Sequence, residues 1–108
     1  MKPLAWRPQA RIDRQKEVRH YRDHAGPSVA QRLVDASWKA LEQVRRDPAI
    51  GSPRIGELIE IPGLRSWRVA AFPLIWFYFE RADCIDVVRL LGERQDILSI
   101  FGEEGGVT

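Results

Sequence analysis

A run of aromatic and branched residues in the second half of the chain constrains the fold most. Leu74–Glu80 reads Leu-Ile-Trp-Phe-Tyr-Phe-Glu, a composition that favours a β-strand. Residues 84–91, rich in Ile and Val, and residues 64–70 predict two further strands. The segments between them, 71–73 and 81–83, are short, so the three strands are predicted to form an antiparallel meander.

The first helix is predicted over residues 8–24. Pro8 suits a first helical turn, where its missing N–H costs nothing, and Gly26-Pro27 ends the pattern. The helix is strongly charged and has only a thin apolar stripe, made by Ala10, Val18, Tyr21 and Ala25. Such a helix is expected to be largely exposed or covered by a partner.

The second helix is predicted to begin at Ser28, which stands three residues before Gln31 as in a capping box. Apolar residues then recur at helical spacing. The helix should end near residues 46–47, because Pro48 restricts the residue before it. Two helices with a short link predict a helical hairpin.

The remaining segments carry weaker signals. Residues 3–6 are a candidate edge strand, 47–56 a loop and 58–61 a weak strand. Residues 96–101 predict one closing turn of helix, and Gly105-Gly106 a frayed tail. The predicted fold class is α+β, with an N-terminal helical hairpin packed on one face of a three- to four-stranded antiparallel sheet and a short C-terminal helix. The length of 108 residues suits one domain over residues 1–108.

Composition indicates a cytoplasmic protein. The single cysteine, Cys84, cannot form an internal disulfide and is expected to be a buried core thiol. The N-terminus lacks the apolar core of a signal peptide, and no apolar stretch approaches the length of a membrane span. Net charge is only +2, but basic residues crowd the first quarter and acidic residues the last. This polarity predicts either two faces of opposite sign or simply solvated charges.

Signals for a metal or cofactor site are weak. His20 and His24 stand at a spacing that can bind a metal, but no H-E-x-x-H motif and no cysteine or carboxylate cluster completes a site. No glycine-rich phosphate loop precedes a helix. No metal and no cofactor are therefore predicted.

Arginines on the predicted sheet are the more informative feature: Arg65, Arg68, Arg89 and Arg94. Alternation places Arg89 on the face of Ile85 and Val87. An arginine within an apolar strand costs desolvation unless it is paired or faces a partner. One interpretation is a salt bridge to Asp86, Glu93 or Asp96. The other is a cationic patch for an acidic protein surface or for nucleic acid phosphate. The tryptophans Trp38, Trp67 and Trp76 are predicted to lie mainly in the core, with one at an interface.

Several motifs together resemble the ParE toxin family. They are Gly-Leu-Arg-Ser-Trp-Arg-Val at 63–69, Leu-Ile-Trp-Phe-Tyr at 74–78, Ile-Asp-Val-Val-Arg-Leu-Leu at 85–91, and Gln-Asp-Ile at 95–97. Pro8-x-Ala10 before the first helix is similar to the start of that family. The resemblance covers nearly the whole chain and is most specific from residue 63 to 97.

The resemblance implies the toxin half of a type II toxin–antitoxin pair, neutralised by a ParD-like antitoxin, with DNA reached only through the antitoxin. Relatives in the ParE branch poison DNA gyrase, whereas those in the RelE branch cleave mRNA on the ribosome. Cleavage needs a general base or acid and cations at the phosphate. RelE-type enzymes carry a late His or Tyr, but no such residue follows Phe79 here, and Gly92-Glu93 replaces a His-Gly pair common in ParE relatives. Tyr78 is the nearest candidate base, and its place in mid-strand indicates the core.

A gyrase inhibitor without catalytic residues is therefore the preferred interpretation. The alternatives are a ribosome-dependent endoribonuclease and an inactive relative that only binds the antitoxin. The candidate target-binding residues are Arg65, Arg68, Arg89, Arg94, Ile97 and Phe101. The candidate antitoxin-binding residues, on the hairpin and facing a docked tail, are Val18, Tyr21, Leu33 and Trp38.

Overall fold

A computed structural model describes residues 1–104 of the chain. For Glu104 it describes the backbone only. The elements in chain order are β1 (Leu4–Trp6), α1 (Pro8–Ala25), α2 (Pro27–Arg46), a 3-10 helix (Pro48–Ile50), α3 (Arg54–Leu58), β2 (Arg65–Arg68), β3 (Leu74–Glu80), β4 (Ile85–Gly92) and α4 (Ile97–Glu104). This order confirms the predicted α+β class, with a helical hairpin, a four-stranded sheet and a short C-terminal helix.

The four strands form one sheet in the order β1-β4-β3-β2. The predicted meander of β2, β3 and β4 is antiparallel, which confirms the prediction from their short links. The predicted edge strand is also present as β1, but it runs parallel to β4, so the sheet is mixed. No tight turn joins β1 to β4, and nothing local imposes an antiparallel direction on that pair.

The unbroken apolar run of β3 is explained by burial on both faces of the sheet. Trp76 and Tyr78 point toward the helical hairpin, while Ile75, Phe77 and Phe79 belong to a second cluster on the far face. All six residues from position 74 to 79 are buried. A strand covered on both sides has no solvent face and therefore shows no alternation of apolar and polar residues.

The two helices of the hairpin contribute very differently to the core. In α1 only Ala10 and Asp13 are buried, as its thin stripe predicts. The buried residues of α2 are Ala30, Leu33, Ser37, Ala40, Leu41 and Val44. The second helix therefore supplies most of the packing between the hairpin and the sheet.

A β-bulge interrupts the regular alternation of β4. Tyr78 pairs with Val87, but its neighbour Phe77 pairs with Arg89, so one residue of β4 is left over. As a result Leu90 lies with Ile85 and Val87 in the cluster under the hairpin. The prediction that Arg89 shares the face of Ile85 and Val87 is wrong, because it assumed strict alternation and the bulge shifts the residues that follow it.

Three local predictions are also wrong. Residues 58–61 form no strand: they close α3 and turn through Glu60, whose φ is 61°. The predicted loop at 47–56 contains the 3-10 helix and the start of α3. The α2 helix begins at Pro27 with Gly26 as its N-cap, at a φ of 93°, and without a side-chain capping bond. Proline already fits the first helical position, so Ser28 lies inside the helix.

Smaller differences concern the cysteine and the C-terminus. Cys84 is partly exposed just before β4 and is not a buried core thiol. The helix predicted over 96–101 extends to Glu104. The tail predicted at Gly105-Gly106 lies outside the described residues. None of the helices in the described part of the chain has the length and hydropathy needed to span a bilayer.

Candidate interaction surfaces

Arg89 is paired with an acid that lies 76 positions earlier in the chain. Its Nε donates to Asp13 Oδ2 at 2.7 Å and its Nη2 to Asp13 Oδ1 at 3.0 Å. The backbone N–H of Leu90 also donates to Oδ2, at 3.0 Å. The pairing predicted for Arg89 therefore exists, but Asp13 takes the place of the three acids expected from the sequence. The strand β1 ends opposite Val87, so it does not cover the rest of this edge of β4. Beyond that point the Asp13 carboxylate of α1 accepts the Leu90 N–H in place of a strand.

The other three sheet arginines do not converge with Arg89 on one patch. Arg65, at the start of β2, donates from Nη1 to the Gly51 carbonyl oxygen at 2.6 Å. Arg68, at the end of β2, forms an ion pair with Glu93 and keeps 69% of its side chain exposed. Arg94 is exposed in the turn that follows β4. Arg68 and Arg94 thus lie at the same end of the sheet, and Arg65 lies at the opposite end of β2.

The two C-terminal candidates lie on the helix that covers the far face of the sheet. Ile97 is half-buried at the start of α4. Phe101 is only 3% exposed, and its ring meets that of Phe77 edge to face at 5.2 Å between centroids. In this structure Phe101 therefore anchors α4 to the sheet.

The four residues predicted to bind the antitoxin differ greatly in exposure. Leu33 is 1% exposed in the core, and Val18 and Tyr21 are half-buried against the same cluster. Trp38 is the exposed member, with 41% of its surface accessible. Of the four, Trp38 offers the largest apolar surface to a partner.

Trp38 is held in place by a ladder of aromatic rings that reaches into the core. Its ring meets Trp6 at 5.7 Å, and Trp6 meets the fully buried Trp76 at 5.4 Å, both edge to face. The guanidinium of Arg11 lies over Trp6 at 5.2 Å, and that of Arg14 over Trp38 at 5.3 Å. Burial lowers the pKa of Arg14. The ladder restricts the exposed ring of Trp38 and leaves the Arg14 cation beside it.

A pocket of about 520 Å³ lies between the second half of α1 and the end of β4. Glu17, His20 and Tyr21 line it from α1, and Glu93 and Arg94 line it from the turn after β4. Burial and the charge of Glu17 raise the pKa of Tyr21. The sequence analysis missed His20 and Tyr21 as candidate bases because it looked for a base after β3. These residues come from the N-terminal third of the chain, and the packing of α1 on the sheet brings them next to Arg94.

Tyr78 is buried, as predicted from its place in mid-strand. Its hydroxyl donates to the Pro48 carbonyl oxygen at 2.7 Å and accepts the Gly51 N–H at 3.0 Å. Burial is the main cause that raises the pKa of Tyr78. The hydroxyl therefore fastens the loop after α2 to the sheet.

The two histidines are neighbours on the exposed side of α1. Their rings lie 4.3 Å apart, and Nδ1 of His24 is 2.8 Å from the carbonyl oxygen of His20. Among the residues with described side chains, no three His, Cys, Asp or Glu residues are grouped as a metal site would require.

Comparison with known proteins agrees with this architecture. No curated protein matches the chain. Among solved structures, the chain is similar to one titled "Chromosomal ParDE TA system from P. aeruginosa", at 22% identity and a TM-score of 0.72, covering 85% of this chain and 96% of that one. This likeness shows the fold. The family model described as "ParE toxin of type II toxin-antitoxin system, parDE" matches residues 4–97. Since that match spans most of the chain, the protein belongs to the ParE toxin family of type II toxin–antitoxin systems.

Proposed function

We propose that this toxin inhibits DNA gyrase through protein–protein contacts and is neutralised by a ParD-like antitoxin. The observation that carries the proposal is the state of Tyr78, the candidate base nearest the sheet arginines in sequence. Its hydroxyl is buried and engaged by Pro48 and Gly51, so it is poorly placed to take a proton from an RNA 2′-hydroxyl. Arg89, the arginine within β4, is engaged by Asp13. This arrangement favours binding over phosphodiester cleavage.

The surface around Trp38 supports the antitoxin part of the proposal. Tryptophan and arginine are the residue types most enriched at binding hot spots. Trp38 is exposed, fixed by Trp6 and flanked by Arg14. A partner that covers it loses little side-chain entropy, because the ladder already restricts the ring. An antitoxin segment with apolar and acidic residues fits this surface.

The first experiment induces the toxin alone in cells and follows DNA synthesis, the SOS response and bulk translation. We expect early SOS induction and blocked replication while translation continues. Purified toxin should also inhibit supercoiling by gyrase, and Arg94→Ala should weaken that inhibition. Arg32→Ala, which removes an exposed arginine from α2, is the matched control and should leave inhibition unchanged.

The antitoxin part is tested separately by titrating the toxin with the protein encoded beside it. Trp38→Ala should weaken that complex by about tenfold or more, as expected for a hot-spot residue. Lys39→Ala, at the next and also exposed position, is the control. Equal affinity of both variants and the unaltered toxin would remove Trp38 from the interface.

A ribonuclease is the second candidate function, and the pocket beside α1 is the observation that favours it. His20 and Tyr21 there stand near Arg94, so a proton acceptor and a cation line one cavity. An immediate fall in translation with mRNA cut at the ribosome, abolished by His20→Gln or Tyr21→Phe, would establish this function and overturn the gyrase proposal. No growth defect from soluble, folded toxin would leave only an antitoxin-binding relative.

A further inference from the structure

The outer edge of β2 is only partly covered by the rest of the chain. Ser66 exchanges two backbone hydrogen bonds with Ser52, both of 2.9 Å. Arg68 lies two residues after Ser66 in β2. Its N–H and C=O therefore point outward, as those of Ser66 do, because backbone groups alternate in direction along a strand. The N–H of Val69 is turned inward to Leu74, as this alternation requires. Within residues 1–104, no hydrogen bond from outside the strands of the sheet reaches the backbone of Arg68.

The chain does not continue the pairing because it turns away before Ser52. An antiparallel partner of Arg68 would be Ile50, but Ile50 belongs to the 3-10 helix. The bridge between Ser52 and Ser66 therefore covers only Ser66 on this edge, and it leaves the N–H donor and C=O acceptor of Arg68 uncovered beside it. Exposed strand edges of this kind pair readily with another extended chain.

An open apolar groove of about 490 Å³ accompanies this edge. Ile50 and Trp67 line it and pack with the core cluster under the helical hairpin, whereas Ile55 and Ile75 line it and belong to the cluster on the far face. The groove thus wraps around the edge. Since successive side chains of a strand point to opposite faces, an added strand would place apolar side chains against both pairs.

Arg68 is the charged residue that lines the groove. Two further arginines flank it, Arg54, exposed two residues after Ser52, and Arg65, at the other end of β2, and the three together form a positively charged rim. Among the described residues, no carboxylate forms an ion pair with Arg54 or Arg65, and the ion pair of Arg68 with Glu93 is largely exposed. A complementary ligand would carry carboxylates at both ends of a short apolar stretch.

We propose that this groove binds an extended acidic peptide segment of a partner protein, which pairs with Arg68 as an added β-strand. The backbone of the segment supplies an acceptor and a donor to Arg68, its apolar centre fills the groove, and its acids contact the arginine rim. The proposal concerns the toxin's surface and does not depend on gyrase as the target.

The test uses NMR titration of the isotope-labelled chain with a blocked pentapeptide, Asp-Val-Val-Val-Asp. We expect amide shifts confined to residues 50–55 and 65–68 at millimolar peptide. A version N-methylated at every valine keeps the side chains but has no valine N–H to donate to the Arg68 carbonyl oxygen, and it should bind about fivefold or more weakly. A version with lysine at both ends should also bind more weakly, because the rim would repel it.

Substitutions at position 68 separate charge from backbone pairing. Arg68→Gln removes the charge only, whereas Arg68→Pro also removes the outward N–H and leaves pairing with β3 intact. We expect Arg68→Pro to weaken binding more than Arg68→Gln, with the remaining amide spectrum unchanged as the control for folding. If the proline variant does not fold, the N-methylated peptide on the unaltered chain decides the question.

Three results would overturn the proposal. They are the absence of shifts at the β2 edge, equal binding of the N-methylated peptide, and equal binding of the lysine peptide. Concentration-dependent shifts at the same edge without peptide would be a fourth, because they would show that a second copy of the chain occupies the edge instead.

Discussion

Replacing Asp13 by alanine tests how the first helix is attached to the sheet. The Asp13 carboxylate accepts two hydrogen bonds from Arg89, one from the Leu90 N–H and one from the Gln9 side chain. The side chains of Arg89 and Asp13 are 12% and 7% exposed, respectively. Because α1 buries so little apolar surface, this polar contact should contribute much of its attachment.

The expected cost follows from what the substitution leaves behind. Removing one member of a buried ion pair costs about 3–5 kcal/mol, since the remaining charge loses its compensation. Arg89 retains some access to water and has further contacts, so we expect the lower end, about 3 kcal/mol. A domain of this size has a free energy of unfolding of about 5–15 kcal/mol, so the loss is large. It corresponds to a melting temperature lower by more than about 10 °C.

Urea denaturation followed by circular dichroism measures the change, and a double-mutant cycle assigns it to the pair. Asp13→Ala/Arg89→Met should be more stable than Asp13→Ala by about 1 kcal/mol or more, because no buried charge is left without its partner. Asp35→Ala, at an exposed acid of α2, should change stability by less than about 0.5 kcal/mol. A loss below about 1 kcal/mol for Asp13→Ala, or strictly additive effects in the cycle, would refute the reasoning.

Three further predictions concern other polar contacts. Tyr78→Phe should lower the free energy of unfolding by about 1–3 kcal/mol in the same urea assay, because the Gly51 N–H loses its acceptor inside the protein; an unchanged midpoint would contradict this. Gly51→Ala should also destabilise, since a Cβ there would collide with the Tyr78 hydroxyl, and combining it with Tyr78→Phe should recover part of the loss. Burial alone would raise the pKa of Asp86, but hydrogen bonds and charge from Arg7 and Arg81 outweigh it and hold that pKa below its usual value of 3.8. The contribution of Asp86 to stability is therefore present above about pH 4 and lost as the pH falls through the lowered pKa, so wild type and Asp86→Asn should differ at pH 7 and converge in strong acid.

The sequence by itself determined the elements whose signals are local. The aromatic run of Leu74–Glu80 is a strand wherever it packs, because its side chains suit a buried pleated surface. Pro27 and Pro48 bound α2, because each proline fixes its own φ and restricts the residue before it, while Gly26 adopts the φ of 93° that the turn between the helices requires. The motifs from residue 63 to 97 predicted the ParE family, and the family match confirms it.

Local signals failed where a segment is short or where a contact outweighs propensity. Residues 58–61 contain three apolar positions and predicted a strand, but Ile59 and Ile61 pack against the far-face cluster as the end of α3 and the turn after it. Four residues carry too little periodicity to separate a strand from a helical turn. The bulge in β4 could not be predicted from the sequence either, because it depends on the register between β4 and β3.

Only the tertiary structure decided the contacts between distant parts of the chain. The partner of Arg89 is 76 positions away, and the parallel pairing of β1 with β4 joins Leu4 to Ile85. The pocket that combines His20 with Arg94 has the same origin. Periodicity and propensity describe a residue's neighbours within about ten positions. Which acid reaches a buried arginine depends instead on how the helical hairpin lies across the sheet, and that is set by the packing of the whole core.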